Sequence, residues 1–183
     1  MPIFLQVPFQ KKDIQGLTAG ERVLLSGTVY TARDAAHKRM DDQLIEGKPF
    51  PFDIEGQVIY YVGPTPAKPG QVIGSAGPTT SGRMDKYTPK LLDLGLGGMI
   101  GKGYRSEEVK QSIVKNRAIY FGAIGGSAAL IARSIKAVEM IAYEDLGTEA
   151  IRKLTIENFP VIVINDVHGN DLYREGVEKY RQI

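Results

Sequence analysis

The chain has 183 residues, 23 of them basic and 21 acidic, for a formal net charge of +2, and it contains no cysteine. That length is one domain with room for a sizeable core, and the near-balanced charge, with no accumulated run of Lys and Arg, leaves nucleic acid no electrostatic footprint to bind. The missing thiols exclude disulfides, a cysteine nucleophile, and protein-thiolate ligation of zinc or an iron–sulfur cluster by this chain.

The opening residues Met1 to Val7 lack a basic segment followed by an apolar stretch and a cleavage site, and nowhere do eighteen apolar residues run together. The expectation is a soluble cytoplasmic protein with no membrane contact. Residues 22–30 read as a strand leading into Thr31-Ala32-Arg33-Asp34-Ala35-Ala36-His37-Lys38-Arg39-Met40. From Ala36, Met40 and Leu44 recur every four residues, one face of a helix with Arg33 at or near its start. Residues 48–53 are extended and proline-spaced, 57–63 read as another strand, and 64–70 as a turn-rich loop. The apolar run 71–75 reads as a strand leading into Gly77-Pro78-Thr79-Thr80-Ser81-Gly82-Arg83-Met84-Asp85.

Beyond this turn, Thr88-Pro89 has the pattern of an N-cap followed by a first-turn proline, with Leu91, Leu92 and Leu94 on the apolar side of a short helix. Residues 97–103 form a glycine-flanked strand, and Ser106 caps a helix with Glu107 and Glu108 in its first turn, where the dipole favours acids. Residues 117–121 are the next strand, and Gly125-Gly126-Ser127 opens an apolar segment. Then come a strand over 138–143, a helix capped by Thr148 with Ile151 and Leu154 inward, the apolar run 161–164, and a loosely helical tail from Asp171 to Ile183. This alternation predicts a single α/β domain over 1–183. Its helices pack on a largely parallel sheet in the C-terminal part, and the hairpin-like earlier strands form a second sheet.

Four places carry polar groups in glycine-flanked or strand-end settings: Arg33-Asp34 with His37-Lys38; Thr79 to Arg83; Lys102 between two glycines; and Asn165-Asp166 with His168-Gly169-Asn170-Asp171. A turn exposing backbone N–H groups, three hydroxyls and an Arg fork is an anion cradle. Ligand sites of α/β sheets gather at strand carboxyl ends, so Arg33, Arg83 and Lys102 are expected to converge around Thr79, a pocket suited to two carboxylates. Each place also has a plainer reading, and the Thr79–Arg83 stretch fits a well-capped strand-to-helix turn with a surface Arg. Lys102 fits a solvated turn and His37 a half-buried, hydrogen-bonded helix residue. The Asp166–Asp171 segment fits a turn that satisfies its own backbone rather than a metal site, and Gly125-Gly126-Ser127 is a weak sign of an anion nest.

Taken together, Gly77 to Asp85, Thr31 to Arg39, Gly101-Lys102-Gly103 and Asp166 to Asp171 closely resemble the β-subunit, or C-terminal domain, of the class I iron–sulfur fumarate hydratases. The likeness covers nearly the whole chain. The related L-tartrate dehydratase β-subunits share the layout, with Gly82-Arg83-Met84-Asp85 favouring the fumarase side. The resemblance implies a swivelling β/β/α three-layer fold. It also implies a [4Fe–4S] cluster carried by three cysteines of a separate α-subunit, with no metal bound by this chain. The site would close between the two, with Arg33, Thr79, Arg83 and Lys102 binding the malate or fumarate dicarboxylate and Thr79 taking the C3 proton. The chain would be a hydro-lyase component inactive without its partner, prone to dimerise when isolated. Two other readings stay open: an L-tartrate dehydratase β-subunit, or a non-catalytic dicarboxylate-binding and assembly module.

Overall fold

The computed structural model describes residues 1–123 and 128–181. Seven strands join in one sheet: β1 (Ile3–Val7), β2 (Arg22–Thr31), β3 (Val58–Tyr60), β4 (Gly98–Gly101), β5 (Ile119–Ala123), β6 (Ile135–Ala142) and β7 (Ile151–Asn165). The helices are α1 (Lys11–Ile14), α2 (Asp34–Ile45), α3 (Thr88–Asp93), α4 (Glu107–Asn116), α5 (Ala128–Ser134) and α6 (Leu172–Tyr180), with 3-10 turns at Ser81–Met84 and Glu144–Glu149. No helix of the described residues is long and apolar enough to cross a membrane.

The neighbours β1–β2, β2–β3, β3–β4 and β4–β5 are all parallel. Strand β7 runs against them, pairing with β2 on one edge and with β6 and β5 on the other; Ile156, for instance, faces both Gly27 and Ile135. The pairings β2–β3–β4–β5–β7 and back to β2 therefore close into a ring. Period-2 alternation sorts the side chains to its two faces. Val58, Tyr60, Ile100, Ile119, Phe121, Leu154 and Ile156 meet in one cluster. Ile59, Met99, Tyr120 and Ile164 meet in a second, against Ala36 and Met40 of α2, Leu91 and Leu92 of α3, and Val109 and Ile113 of α4. One core fills the ring and the other glues the helices to its outside.

The structure corrects several expectations. There is one mixed sheet among the described residues, not a parallel sheet plus a second one, and the early strands are parallel neighbours rather than hairpins. Residues 151–154 are not helical: they begin β7, which also contains the 161–164 run. Ile151 joins the outer cluster and Leu154 the inner one, so a spacing of three that mimics a helix here places two apolar residues on opposite faces of a strand. Residues 71–75 form no strand. Tyr87 rather than Thr88 is the N-cap of α3. The Ser106 cap stands as read, its hydroxyl accepting from Val109 N at 3.2 Å.

Candidate functional site

Because β2, β3 and β4 are parallel neighbours, their carboxyl ends open on one edge. Ala32 N donates to Tyr60 O and Tyr61 N to Ile100 O, extending the register past the strands themselves. Arg33 follows β2, and Lys102 follows β4. The turn carrying Thr79 and Arg83 threads between the ends of β3 and β4: Thr79 N donates to Tyr61 O at 2.7 Å and Ser81 N to Lys102 O at 2.9 Å, while Thr80 and Lys102 form a parallel bridge. Three of the four predicted motifs thus meet at one edge. Thr79 is half-buried there and Lys102 is exposed.

Arg33 is the N-cap of α2, with extended backbone. Its guanidinium lies against Gly63 and between two acids, its Nη2 3.8 Å from Asp34 Oδ2 and its Nε 3.8 Å from Glu149 Oε1. Both separations are too long for hydrogen bonds, and Arg33 Nε is buried without a partner. Asp34 Oδ1 accepts from Arg83 Nε at 2.8 Å, while Asp34 Oδ2 is buried and unbonded. Asp34 therefore links the two arginines. His37 lies one turn further along, its Nδ1 2.8 Å from Arg33 O and its ring edge-on to Tyr61 at 5.5 Å. A carbonyl only accepts, so Nδ1 carries the proton and Nε2 is the bare acceptor. Burial, opposed by the bond to Arg33 O, pushes the His37 pKa down to about 4 and keeps the ring neutral. His37 is thus the hydrogen-bonded helix histidine of the plainer reading, more deeply buried than expected.

Beneath the turn sits a polar network that the sequence did not disclose. Arg105, with its side chain 0% exposed, donates from Nε to Asp85 Oδ1 at 2.7 Å and from Nη2 to Thr88 Oγ1 at 2.9 Å and Tyr61 Oη at 3.2 Å. Its guanidinium carbon lies 5.3 Å from the Tyr61 ring centre and 4.8 Å from that of Tyr120. The other Asp85 oxygen accepts from Ser106 N at 2.6 Å. Tyr120 Oη donates to Gly103 O at 2.9 Å, which leaves Ser81 Oγ as the donor in the 2.8 Å contact with Tyr120. Burial pushes the Tyr120 phenol up, so it stays protonated and able to donate. Gly101 makes the approach possible, since a Cβ there would overlap Ser81 Oγ and come within 2.8 Å of Tyr61 Cδ2. In the sequence, Arg105 and Glu149 look like any surface charge; a clue was available only in Arg105 standing directly before the Ser106 cap.

The fourth motif lies elsewhere. Asn165 pairs with Tyr120 near the start of β5, at the end of the sheet remote from the carboxyl edge of β4. Asp166 is fully buried and accepts from Ala19 N, His168 N, Asn170 N and Asn170 Nδ2 at 2.8–3.0 Å. His168 Nε2 meets Gln15 O at 3.0 Å, and Asp171 caps α6 by accepting from Tyr173 N and Arg174 N. These groups satisfy local backbone and clasp the N-terminal region. Gly125-Gly126-Ser127 lies outside the described residues.

A family model described as Fumarase C-terminus matches residues 1–176. The anaerobic class I fumarate hydratase of Escherichia coli K12 is 43% identical over 161 residues, covering 86% of this chain and 29% of that protein. Fumarate hydratase 2 of Leishmania major is 40% identical over 166 residues, 89% of this chain and again 29% of the relative. A protein of Methanocaldococcus jannaschii named "Putative L(+)-tartrate dehydratase subunit beta" is 38% identical over 175 residues, 92% of this chain and 90% of its own length. The chain therefore spans less than a third of these two fumarate hydratases and nearly all of the β subunit.

Proposed function

Because this chain belongs to the fumarase C-terminus family, we propose that it is the β-type component of a hydro-lyase, a class I fumarate hydratase that interconverts L-malate and fumarate together with a cluster-bearing α-type component. The observation that carries the reading is the convergence of Arg33, Arg83, Thr79 and Lys102 on the carboxyl edge of β2–β4. The swivelling β/β/α architecture belongs to the same proposal, supported by the closed sheet and the helices on its outer face. So do a cytoplasmic location and self-association of the chain when its partner is absent.

The chain supplies no cysteine, and among the described residues no group of three or more His, Asp and Glu is placed to hold a metal. Its residues do not fit a [4Fe–4S] cluster, which the proposal leaves with the partner. The chemistry assigned to this chain is binding and proton removal. Taking a proton from C3 of malate drives negative charge onto the adjacent carboxylate, and fixed cations are most useful where charge develops. Arg33, Arg83 and Lys102 fill that role and orient the diacid. Thr79 Oγ receives the C3 proton; the electron pair becomes the C2–C3 double bond, and the C2 hydroxyl leaves and is protonated to water by an acid of the partner. A threonine hydroxyl becomes a base only when neighbouring positive charge lowers its pKa, and Arg83 and Lys102 on the flanking turns are the source of that charge.

The test is anaerobic fumarate hydration by the chain alone and mixed with the cluster-loaded α-type component. Activity is expected only in the mixture, and Thr79→Ala is expected to lower kcat while complex formation is retained. An intact complex with full turnover after Thr79→Ala would point instead to a binding or assembly module. The coverage of the tartrate dehydratase β subunit favours one second reading, an L-tartrate dehydratase component; relative turnover of malate and tartrate separates the two.

A further inference from the structure

We propose that Asp34 is a positioning residue of the site: it holds the Arg33 and Arg83 guanidinium groups at a fixed separation while leaving their bonding edges open to one carboxylate of the substrate. The inference rests on the reading that these arginines bind a dicarboxylate. Asp34 stands at the first position of α2, directly after Arg33, where the helix dipole favours an acid. It engages Arg83 through Nε alone, which leaves the paired Nη donors of that fork free for a bidentate ligand among the described residues. Arg33 is gripped differently. Asp34 and Glu149 flank it at 3.8 Å each, close enough to neutralise and steer the guanidinium but too far to saturate its donors.

Two buried atoms are left without partners in this arrangement, Arg33 Nε and Asp34 Oδ2. The orphaned donor of Arg33 marks a network open to an entering acceptor such as a carboxylate, whereas the orphaned Asp34 oxygen needs a donor, which a carboxylate cannot supply. The side chain of Arg83 is 55% exposed, so without Asp34 its long stem would sample many rotamers, and a diacid would have to order it on binding. The opposing effect is the negative charge of Asp34, which repels the substrate. Positioning outweighs repulsion here because that charge is already compensated by the two arginines between which it lies.

The experiment compares wild type, Asp34→Asn and Asp34→Glu in the assembled enzyme. Steady-state turnover of fumarate is measured together with binding of succinate, a diacid that cannot be hydrated, and with the 15N resonances of the arginine Nε–H groups. Asp34→Asn is expected to raise KM and the succinate dissociation constant about tenfold, the worth of one charge-assisted hydrogen bond, to change kcat much less, and to shift the Arg83 Nε signal. Asp34→Glu is expected to recover part of the affinity. An unchanged or lower KM in Asp34→Asn would overturn the proposal, the latter showing that Asp34 competes with substrate for the arginines. An assembly that turns over no diacid but binds succinate, more weakly in Asp34→Asn, would discard the activity and keep the role of Asp34. Failure to bind succinate at all would discard both.

Discussion

Asp85 receives the Nε–H of fully buried Arg105 on one carboxylate oxygen and the backbone N–H of Ser106 on the other, at 2.7 and 2.6 Å. This one carboxylate fastens the end of the Thr79–Arg83 turn to the start of α4, and so fixes that turn relative to Lys102. Removing one member of a buried ion pair leaves the other charged and uncompensated, a cost of about 3–5 kcal/mol. Arg105→Ala is therefore expected to lower the urea unfolding free energy by that order. Arg105→Lys is expected to rescue little, because a single ammonium cannot reach Asp85, Thr88 and Tyr61 at once. A lysine variant of wild-type stability would refute the account.

A pH dependence follows from His37. Unfolded, its imidazole titrates near 6.5; folded, burial holds it at about 4. Between those values the unfolded chain binds a proton that the native chain refuses, so stability rises with pH. The contribution is complete above pH 6.5, declines as the pH falls toward 4, and amounts to about 3 kcal/mol. Urea midpoints measured between pH 4.5 and 7.5 should show this slope in wild type and a flatter one in His37→Gln. Equal slopes would show that His37 is not its source.

Gly63 offers a way to disturb Arg33 without touching the core. A Cβ there would sit 3.0 Å from both Cδ and Nη1 of Arg33 and 3.4 Å from Thr148 O. The arginine, a flexible side chain, gives way more easily than backbone. Gly63→Ala is thus expected to leave the unfolding free energy within about 1 kcal/mol of wild type while weakening diacid binding. Lost stability with unchanged KM would show that Arg33 does not meet the substrate.

Gly101→Ala acts in the opposite sense. Its new methyl would collide with Ser81 Oγ and Tyr61, both in the packed interior, at a cost of about 1–3 kcal/mol. Ser81→Ala removes the nearer obstacle together with the bond to Tyr120. The double variant should therefore be more stable than the sum of the two single losses, and a strictly additive cycle would contradict the packing described.

What could be read from the sequence was whatever is decided locally. The Ser106 cap, the α2 face through Ala36 and Met40, and the turn from Thr79 to Arg83 each depend on residues a few positions apart, and each stands in the structure. The convergence on one edge could be anticipated from the rule that sites gather at strand ends, but what brings Arg33 there is the parallel pairing of β2 with β3, where hairpins were expected. The part of β7 before residue 161 escaped because its apolar spacing is interrupted: Glu157 and Asn158 are both exposed opposite the irregularity between Leu25 and Gly27, and the inward positions change from Leu154 and Ile156 to Phe159 and Val161. Arg105 escaped because burial of a charge is set by its partners, Asp85, Thr88, Tyr61 and Tyr120, and these come from 15 to 44 positions away. The Asp166–His168 segment carried residue types of a metal site, yet its oxygens are consumed by backbone N–H groups.

Strand β7 has a bearing on how the chain comes to be folded. Its ladder to β2 joins residues 22–30 to 153–162, a separation of more than a hundred positions, and it also completes the pairing of β5 and β6. On the ribosome, β2 therefore waits with one edge unpaired until nearly all of this region has been made, and closing so long a loop comes before any reward from its contacts. The sheet is thus expected to close only once β7 has been made, in the slow range of non-local topologies. During that wait the exposed edge of β2 is the place where chaperone binding or misassociation would begin.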